Sequence, residues 1–145
     1  MARATIRVDF EGRGSIGPGK VRLLETIAET GSIAAAARAL NMSYRRAWLL
    51  AEAVSATLGA PATETQTGGV RGGHATLTAP AKAAVAAYRR LESTLIRSGA
   101  RELTELEALA AGRDYAAAMT ARPKPRLKRQ NRQVKRTAAA KRPAT

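Results

Sequence analysis

Cysteine is absent from this chain of 145 residues, and histidine occurs only once, as His74. Disulfides and thiolate metal sites are therefore excluded, and the chain does not supply the ligands of a zinc enzyme. Long apolar runs are also absent: none approaches the roughly 20 residues that cross a bilayer, and residues 1–12 lack the apolar core of a signal peptide. From these absences we expect a soluble, cytoplasmic protein without membrane contact.

Acidic residues are missing from positions 120–145, although the whole chain contains 11 of them. This last segment carries 10 of the 25 basic residues, so most of the formal charge of +14 is concentrated there. Its three prolines and few large apolar residues predict a disordered basic tail. We expect such a tail, with Lys128 and Arg129 near its centre, to bind duplex phosphates without reading sequence.

Residues 31–57 have the pattern of two short helices joined by a tight turn. Gly31 can end a preceding helix, and Ser32 is a favourable N-cap for a helix over residues 33–40. Asn41 tolerates a left-handed turn, and Ser43 is again a favourable cap. In the second helix, residues at three- and four-residue spacing predict one buried face: Ala47, Trp48, Ala51, Val54 and Leu58.

Arg45, Arg46 and Leu49 point away from that face. Both arginines lie in the first helical turn, where the helix dipole is positive and each cation costs about 0.3–1 kcal/mol. Their placement favours contact with an anion, because free backbone N–H groups and guanidinium forks bind phosphates or guanine edges. The alternative is a solvated face that carries two arginines by chance.

Residues 5–10 alternate apolar and polar side chains and predict a strand. The following GRGSIG, residues 12–17, matches the dinucleotide fingerprint GxGxxG, but we reject that match. Pro18 and Gly19 follow at once, and no second strand ending in an acid comes about 20 residues later. We interpret the segment as a flexible turn before an amphipathic helix over residues 20–30.

Residues 62–65 and 75–78 predict a hairpin with a glycine-rich tip. The tip lacks the lysine and hydroxyl of a phosphate loop. Thr67 and Arg71 could meet a sugar-phosphate backbone, or Arg71 could enter a minor groove, although a plain surface turn explains the segment equally well. We interpret His74 as a solvent-facing loop residue, with a phosphate contact as the alternative. No nucleophile and base can be assembled around it, so we expect neither an enzyme nor a cofactor.

Residues 78–98 predict the longest helix, about 30 Å in length, with Thr78 as N-cap and Gly99 as its end. A short helix is predicted over residues 102–111. The apolar stripe of the long helix either packs wholly inside one subunit or extends far enough to pair with a second copy. Its members are Val85, Tyr88, Leu91 and Leu95.

Three segments of this chain resemble the N-terminal DNA-binding domain of ModE-type, molybdenum-responsive regulators, which is itself related to the LysR-type winged helix. They are TGSIAAAA at 30–37, MSYRRAWLL at 42–50 and TGGVRGG at 67–73. The resemblance extends over residues 5–95. It implies that Ser43, Tyr44, Arg45 and Arg46 begin the recognition helix, that residues 67–73 form the wing, and that Trp48 occupies a core position.

The same resemblance implies a homodimer, joined through the first and the long helix, that binds a palindromic operator in double-stranded DNA. Two departures matter. Family members with a sensor carry molybdate-binding domains after the long helix, whereas a short helix and a basic tail follow here, so molybdate binding is not expected. Residues 79–81, Ala-Pro-Ala, also stand where the family usually has a glycine-containing helix start.

We therefore expect a mostly α fold with a small β wing: a winged helix-turn-helix with its dimerisation helix over residues 1–98, a short helix and linker over 99–119, and the tail. The expected function is sequence-specific transcriptional regulation at the nucleoid. The alternatives are an architectural nucleoid protein with little sequence preference, or an oxyanion-binding protein whose pocket the sequence does not reveal. The candidate DNA-contacting residues are Ser32, Ser43, Tyr44, Arg45, Arg46, Leu49, Thr67, Arg71, His74, Lys128 and Arg129.

Overall fold

The computed structural model describes residues 1–66, 73–112, 117 and 120. Within these residues the helices dominate and the strands form two antiparallel pairs, which confirms the predicted mostly α fold with a small β wing. Residues 1–109 form one compact unit with its own core. The elements are β1 (Val8–Phe10), β2 (Gly14–Ile16), α1 (Pro18–Thr30), α2 (Ile33–Ala39), α3 (Tyr44–Leu58), β3 (Thr63–Gln66), β4 (His74–Leu77), α4 (Ala79–Ser98) and α5 (Ala100–Ala111).

The N-terminal hairpin corrects one prediction. The segment interpreted as a flexible turn contains β2, which pairs with β1 so that Val8 lies opposite Ile16. Gly12 and Gly14 both have positive φ angles, 71° and 106°, and allow the chain to reverse between the strands. A three-residue strand that begins with glycine shows no alternation in the sequence, which is why it was missed.

The predicted caps of the two-helix turn are confirmed. The Ser32 hydroxyl accepts a hydrogen bond from the Ala35 amide, and the Ser43 hydroxyl accepts one from the Arg46 amide, each at 3.1 Å. Asn41 has the expected left-handed conformation, with φ of 54°. Local rules for caps and turns therefore suffice to place α2 and α3 in the chain.

The core lies between the first three helices and the base of the wing. Leu23, Leu24 and Ile27 of α1 are at most 1% exposed, and small residues of α2 and α3 pack around them. On α3 the buried residues are Ala47, Ala51, Val54 and Thr57. The prediction that Trp48 belongs to the core is wrong, since its side chain is 45% exposed. Alanines at this face let α3 approach its neighbours closely and leave no room for an indole.

The wing strands β3 and β4 pair with Thr63 opposite Leu77 and Gln66 opposite His74. Each strand is shifted by one residue from its predicted bounds, and β4 ends at Leu77 because Thr78 serves as the N-cap of α4. Its hydroxyl caps the helix at the Ala81 amide and donates a hydrogen bond of 2.6 Å to the Pro61 carbonyl. The helix thus begins without the glycine that the related family usually has.

Two polar side chains near the middle of α4 join the long helix to the N-terminal part of the chain. Tyr88 is buried, which raises the pKa of its hydroxyl, and it donates a 2.7 Å hydrogen bond to the Ile6 carbonyl. Arg89 donates two hydrogen bonds, of 2.8 and 2.7 Å, to the carboxylate of Glu25 in α1 and a third to Glu92. The hydrogen bonds from Arg89 to the Glu25 carboxylate lower the pKa of Glu25. The orientation of α4 relative to α1 is therefore set by a two-point ion pair.

Beyond Tyr88 the apolar stripe of α4 leaves the core. Leu91, Leu95 and Ile96 are exposed, as are Leu106 and Leu109 on α5. Helix α5 begins at Ala100, two residues before the predicted start. Among the residues that the structure describes, the far half of α4 and the leucines of α5 thus expose apolar side chains that no other element covers.

Candidate nucleic-acid interface

The start of α3 presents two cations to solvent. Ser43 holds the first turn by its cap, and the side chains of Tyr44, Arg45 and Arg46 are all exposed, with Leu49 exposed one turn later. The sequence of the first turn contains no acidic residue. The first amide groups of a helix have no acceptor within the helix. Here the Ser43 hydroxyl accepts a hydrogen bond from one of them, that of Arg46, and the remaining ones are available to an anion.

A cleft of about 230 Å³ separates α3 from the wing. It brings together three of the candidate residues, Ser32, Tyr44 and His74, and its lining also includes Trp48 and Gln66. The amide of Ala75 donates a 2.7 Å hydrogen bond to the Gly31 carbonyl, so the base of the wing is joined to the turn that precedes α2. The cleft therefore has walls from both the helix-turn-helix and the wing.

His74 corrects a second prediction, because it lies in β4 and not in a loop, although it is exposed as expected. Its ring stands against Gly31, where an added Cβ would lie 3.0 Å from the Cε1 atom. The glycine therefore has two functions here: it adopts a φ of 71° and it leaves room for the imidazole.

The remaining candidates divide into two groups. Arg45, Arg46 and Leu49 lie on the exposed side of α3 and do not line the cleft. Thr67, Arg71, Lys128 and Arg129 lie outside the described residues, as do the predicted tail beyond Thr120 and most of the predicted wing tip.

Sequence reasoning missed Trp48 and Gln66 as members of this surface. A signal for Trp48 was present, since it follows Tyr44 by four residues and therefore shares its side of the helix. Gln66 stands opposite His74 in the hairpin, and a pairing of that kind follows only from the strand register.

Two kinds of site are not found in the part of the chain that the structure describes. It contains no group of three or more His, Cys, Asp or Glu residues able to hold a metal ion. Among the same residues, no helix is both long and apolar enough to cross a membrane.

Comparison with known proteins identifies relatives of the N-terminal part of the chain, although no family model matches it. Over 95 residues it is 34% identical to the molybdenum-pterin-binding protein MopA of Rhodobacter capsulatus, covering 66% of this chain and 36% of MopA. Over 78 residues it is 41% identical to MopB of the same organism, covering 54% and 29%. Over 79 residues it is 40% identical to the transcriptional regulator ModE of Haemophilus influenzae, covering 54% and 31%.

The chain thus spans about a third of the length of these relatives. Among solved structures, it is 30% identical to the CbnR DNA-binding domain in complex with DNA, covering 66% of this chain and 97% of that one, with a TM-score of 0.45. The resemblance to ModE-type molybdenum regulators that the sequence motifs predicted is confirmed by the curated relatives.

Proposed function

We propose that this chain, whose N-terminal part is homologous to ModE-type molybdenum regulators, is a sequence-specific DNA-binding transcriptional regulator. The observation that carries this proposal is the exposed start of α3, where Ser43 fixes the first turn and Arg45 and Arg46 project from it. The relatives named above are regulators and binding proteins, which is consistent with a protein that is not an enzyme.

In this proposal α3 enters the major groove, whose width of about 12 Å admits a helix. The guanidinium groups of Arg45 and Arg46 pair with guanine edges, and the wing beside them meets the sugar-phosphate backbone. Ser32 and His74, which both line the cleft, contact the DNA backbone in this proposal. Thr67 and Arg71 in the wing sequence, and Lys128 and Arg129 in the tail, stay predictions, as does the absence of molybdate binding.

We further propose that the protein acts as a homodimer through the apolar surface of α4 and α5. A groove of about 310 Å³ between the N-terminal hairpin and α4 continues this surface, and its lining is apolar, with Phe10 and Leu91 exposed at its edge. A second copy of the chain would remove these side chains from water. A palindromic operator whose half-sites lie one helical turn apart would require the two recognition helices of this dimer to be about 34 Å apart.

Leu95→Glu tests the dimer. A carboxylate at the centre of the apolar surface would have to be desolvated on association, so we expect dimerisation at least about tenfold weaker. Sedimentation equilibrium of the full chain measures this. Ala86→Glu is the matched control, because residue 86 lies nine positions earlier, on the opposite face of the same helix, and is exposed. A dimer that tolerates both substitutions equally would contradict this interface.

One observation favours a second candidate function, an architectural nucleoid-associated protein with little sequence preference. Residues 120–145 contain ten basic residues and no acid, and such a tail would bind any duplex. In that case the folded part would dimerise or bridge DNA, and the arginines of α3 would meet phosphates alone.

The two functions differ in what the tail contributes. We propose to measure binding of the full chain, and of a chain ending at Met119, to duplexes selected from genomic DNA and to random duplex, across a salt series. Each phosphate neutralised contributes about −0.9 to the slope of log affinity against log salt, so truncation should make the slope shallower by several units. For a regulator, the preference for selected duplexes should survive truncation.

The opposite result would identify the architectural protein. It consists of a full chain that shows no preference at any salt concentration, together with a truncated chain that no longer binds. The unfolding free energy of both chains should be compared first, so that a loss of binding is not mistaken for a loss of folding.

A further inference from the structure

Helix α3 exposes three large apolar side chains in its first two turns, two of them on the wall of the cleft and one beside Arg45. Tyr44, Trp48 and Leu49 are 56%, 45% and 49% exposed. Tyr44 and Trp48, four positions apart, share one strip of the helix surface, whereas Leu49 shares the next strip with Arg45, four positions before it. We call these three residues the α3 apolar patch. Phosphate binding gives no reason for it, because phosphates are met by N–H groups and cations.

The patch is held in place by the packing beneath it. Ala47 and Ala51, which are at most 2% exposed, bring α3 close to the core, so Trp48 has no space below and projects toward the wing. There its ring and that of Tyr44 form one wall of the cleft that Gln66 and His74 close on the other side. The indole is thus positioned by its neighbours, with one side open to whatever α3 approaches.

The charge around the patch favours DNA as the molecule that covers it. Arg45 and Arg46 follow Tyr44 in the first turn of α3, which has no acid, and the single acid of the helix, Glu52, lies one turn beyond Trp48. A purely apolar partner surface would leave these two guanidinium groups desolvated and unpaired. A duplex instead supplies phosphate oxygens and guanine acceptors with which they can pair.

The major groove contains one apolar feature that differs between bases, the C5-methyl group of thymine. We propose that the α3 apolar patch reads thymine methyl groups, and that Trp48 and Leu49 are specificity-determining residues beside Arg45 and Arg46. This inference rests on the proposed function, and it predicts an operator that combines guanines with thymines at fixed spacing. The apolar side chains distinguish bases that the cations alone would accept.

Removal of the methyl group alone tests the proposal. Duplexes are first selected by the full chain from a random library, then synthesised again with deoxyuridine replacing thymidine at one position at a time. Uracil pairs with adenine as thymine does and lacks only the methyl group. At each position that the patch contacts, we expect affinity to fall about fourfold, the value for one buried methyl group.

Variants of the patch complete a double-mutant cycle. In Leu49→Ala or Trp48→Ala, the effect of uracil at the contacted position should disappear, because the side chain that met the methyl group is gone. Glu52→Ala is the control on the same helix, because Glu52 is exposed next to Trp48 and Leu49 but is polar. Loss of its negative charge should raise affinity for every duplex and leave the effect of uracil unchanged.

The outcomes separate this inference from the function on which it rests. If duplexes are selected but uracil changes affinity at no position, the patch does not read thymine, although the regulator proposal stands. If the patch variants bind the selected duplex as tightly as the unsubstituted chain does, the patch again does not read thymine, and its partner is a macromolecule other than DNA. If no duplex is selected at all, both proposals fall together.

Discussion

Replacing Arg45 and Arg46 together by alanine is expected to reduce affinity for a selected duplex by about 2–6 kcal/mol, at about 1–3 kcal/mol for each guanidinium that reads a base edge. Affinity for random duplex should fall much less, because there the same side chains meet phosphates only. The unfolding free energy should stay the same or rise slightly, since two cations leave the positive end of the α3 dipole. Fluorescence anisotropy with both duplexes, together with urea unfolding, measures all three quantities.

A control with the same loss of charge is available on α4. Arg90 and Arg97 are exposed on that helix, and their double replacement by alanine removes two positive charges far along the chain from α3. We expect this control to weaken binding to selected and random duplexes by the same small factor. Equal losses on the two duplexes for the α3 pair would mean that Arg45 and Arg46 contact phosphates, and would favour the architectural alternative.

Gly14→Ala is expected to lower the free energy of unfolding by about 2–4 kcal/mol, the sum of an unfavourable backbone conformation and an enforced close contact. Gly14 has a φ of 106°, which side chains rarely permit, and an added Cβ would lie 3.0 Å from the Thr57 hydroxyl. That hydroxyl has little freedom to move, because it donates to the carbonyls of Arg13 and Ala53 at 3.0 and 2.9 Å.

Two other glycines divide this effect into its parts. Gly12 also has a positive φ, 71°, but open space around its missing Cβ, so Gly12→Ala should cost only the backbone term, about 1–2 kcal/mol. Gly19 lies in the first turn of α1 with open space and no positive φ, and Gly19→Ala should be neutral or stabilising by up to about 1 kcal/mol. Urea unfolding of the three variants measures the order of their unfolding free energies. A Gly14→Ala variant as stable as Gly12→Ala would show that the Thr57 side chain moves aside without cost.

The elements that could be predicted from sequence are those whose causes are local. Ser32 and Ser43 cap their helices through residues three positions away, and Asn41 adopts its left-handed turn without help from distant residues. The contacts that could not be predicted join residues far apart in the chain. The ion pair between Glu25 and Arg89 spans 64 positions, and no periodicity in either helix points to it.

Trp48 shows why burial was harder to predict than helix position. Counting apolar residues at helical spacing assigns it to the core, because an indole is among the largest apolar groups. The core of α3 is instead built from alanines, whose small size brings the helices together, and the large side chain is displaced to the edge. Spacing alone therefore identifies the helix, while side-chain volume decides which of two adjacent strips is buried.

Only part of the candidate DNA surface could be predicted, because only part of it has local causes. The exposed residues at the start of α3 follow from the cap at Ser43, which fixes where the helix begins. The cleft beside the wing depends on the pairing of Gln66 with His74 and on the hydrogen bond from Ala75 to Gly31. Both contacts arise only in the folded chain, so the sequence alone did not predict them.

The hydrogen bond from Ala75 to Gly31 also bears on which parts of the candidate DNA surface can change independently by mutation. The wing is joined to the helix-turn-helix at its base, by a backbone hydrogen bond of 2.7 Å from the Ala75 nitrogen to the Gly31 oxygen and by the buried side chains of Ala75 and Leu77. Residues 67–72, which connect β3 and β4 in the sequence, can therefore be exchanged by mutation while the base of the wing stays where it is. Descendants of such a chain could acquire new backbone contacts in the wing without altering the base preference of α3.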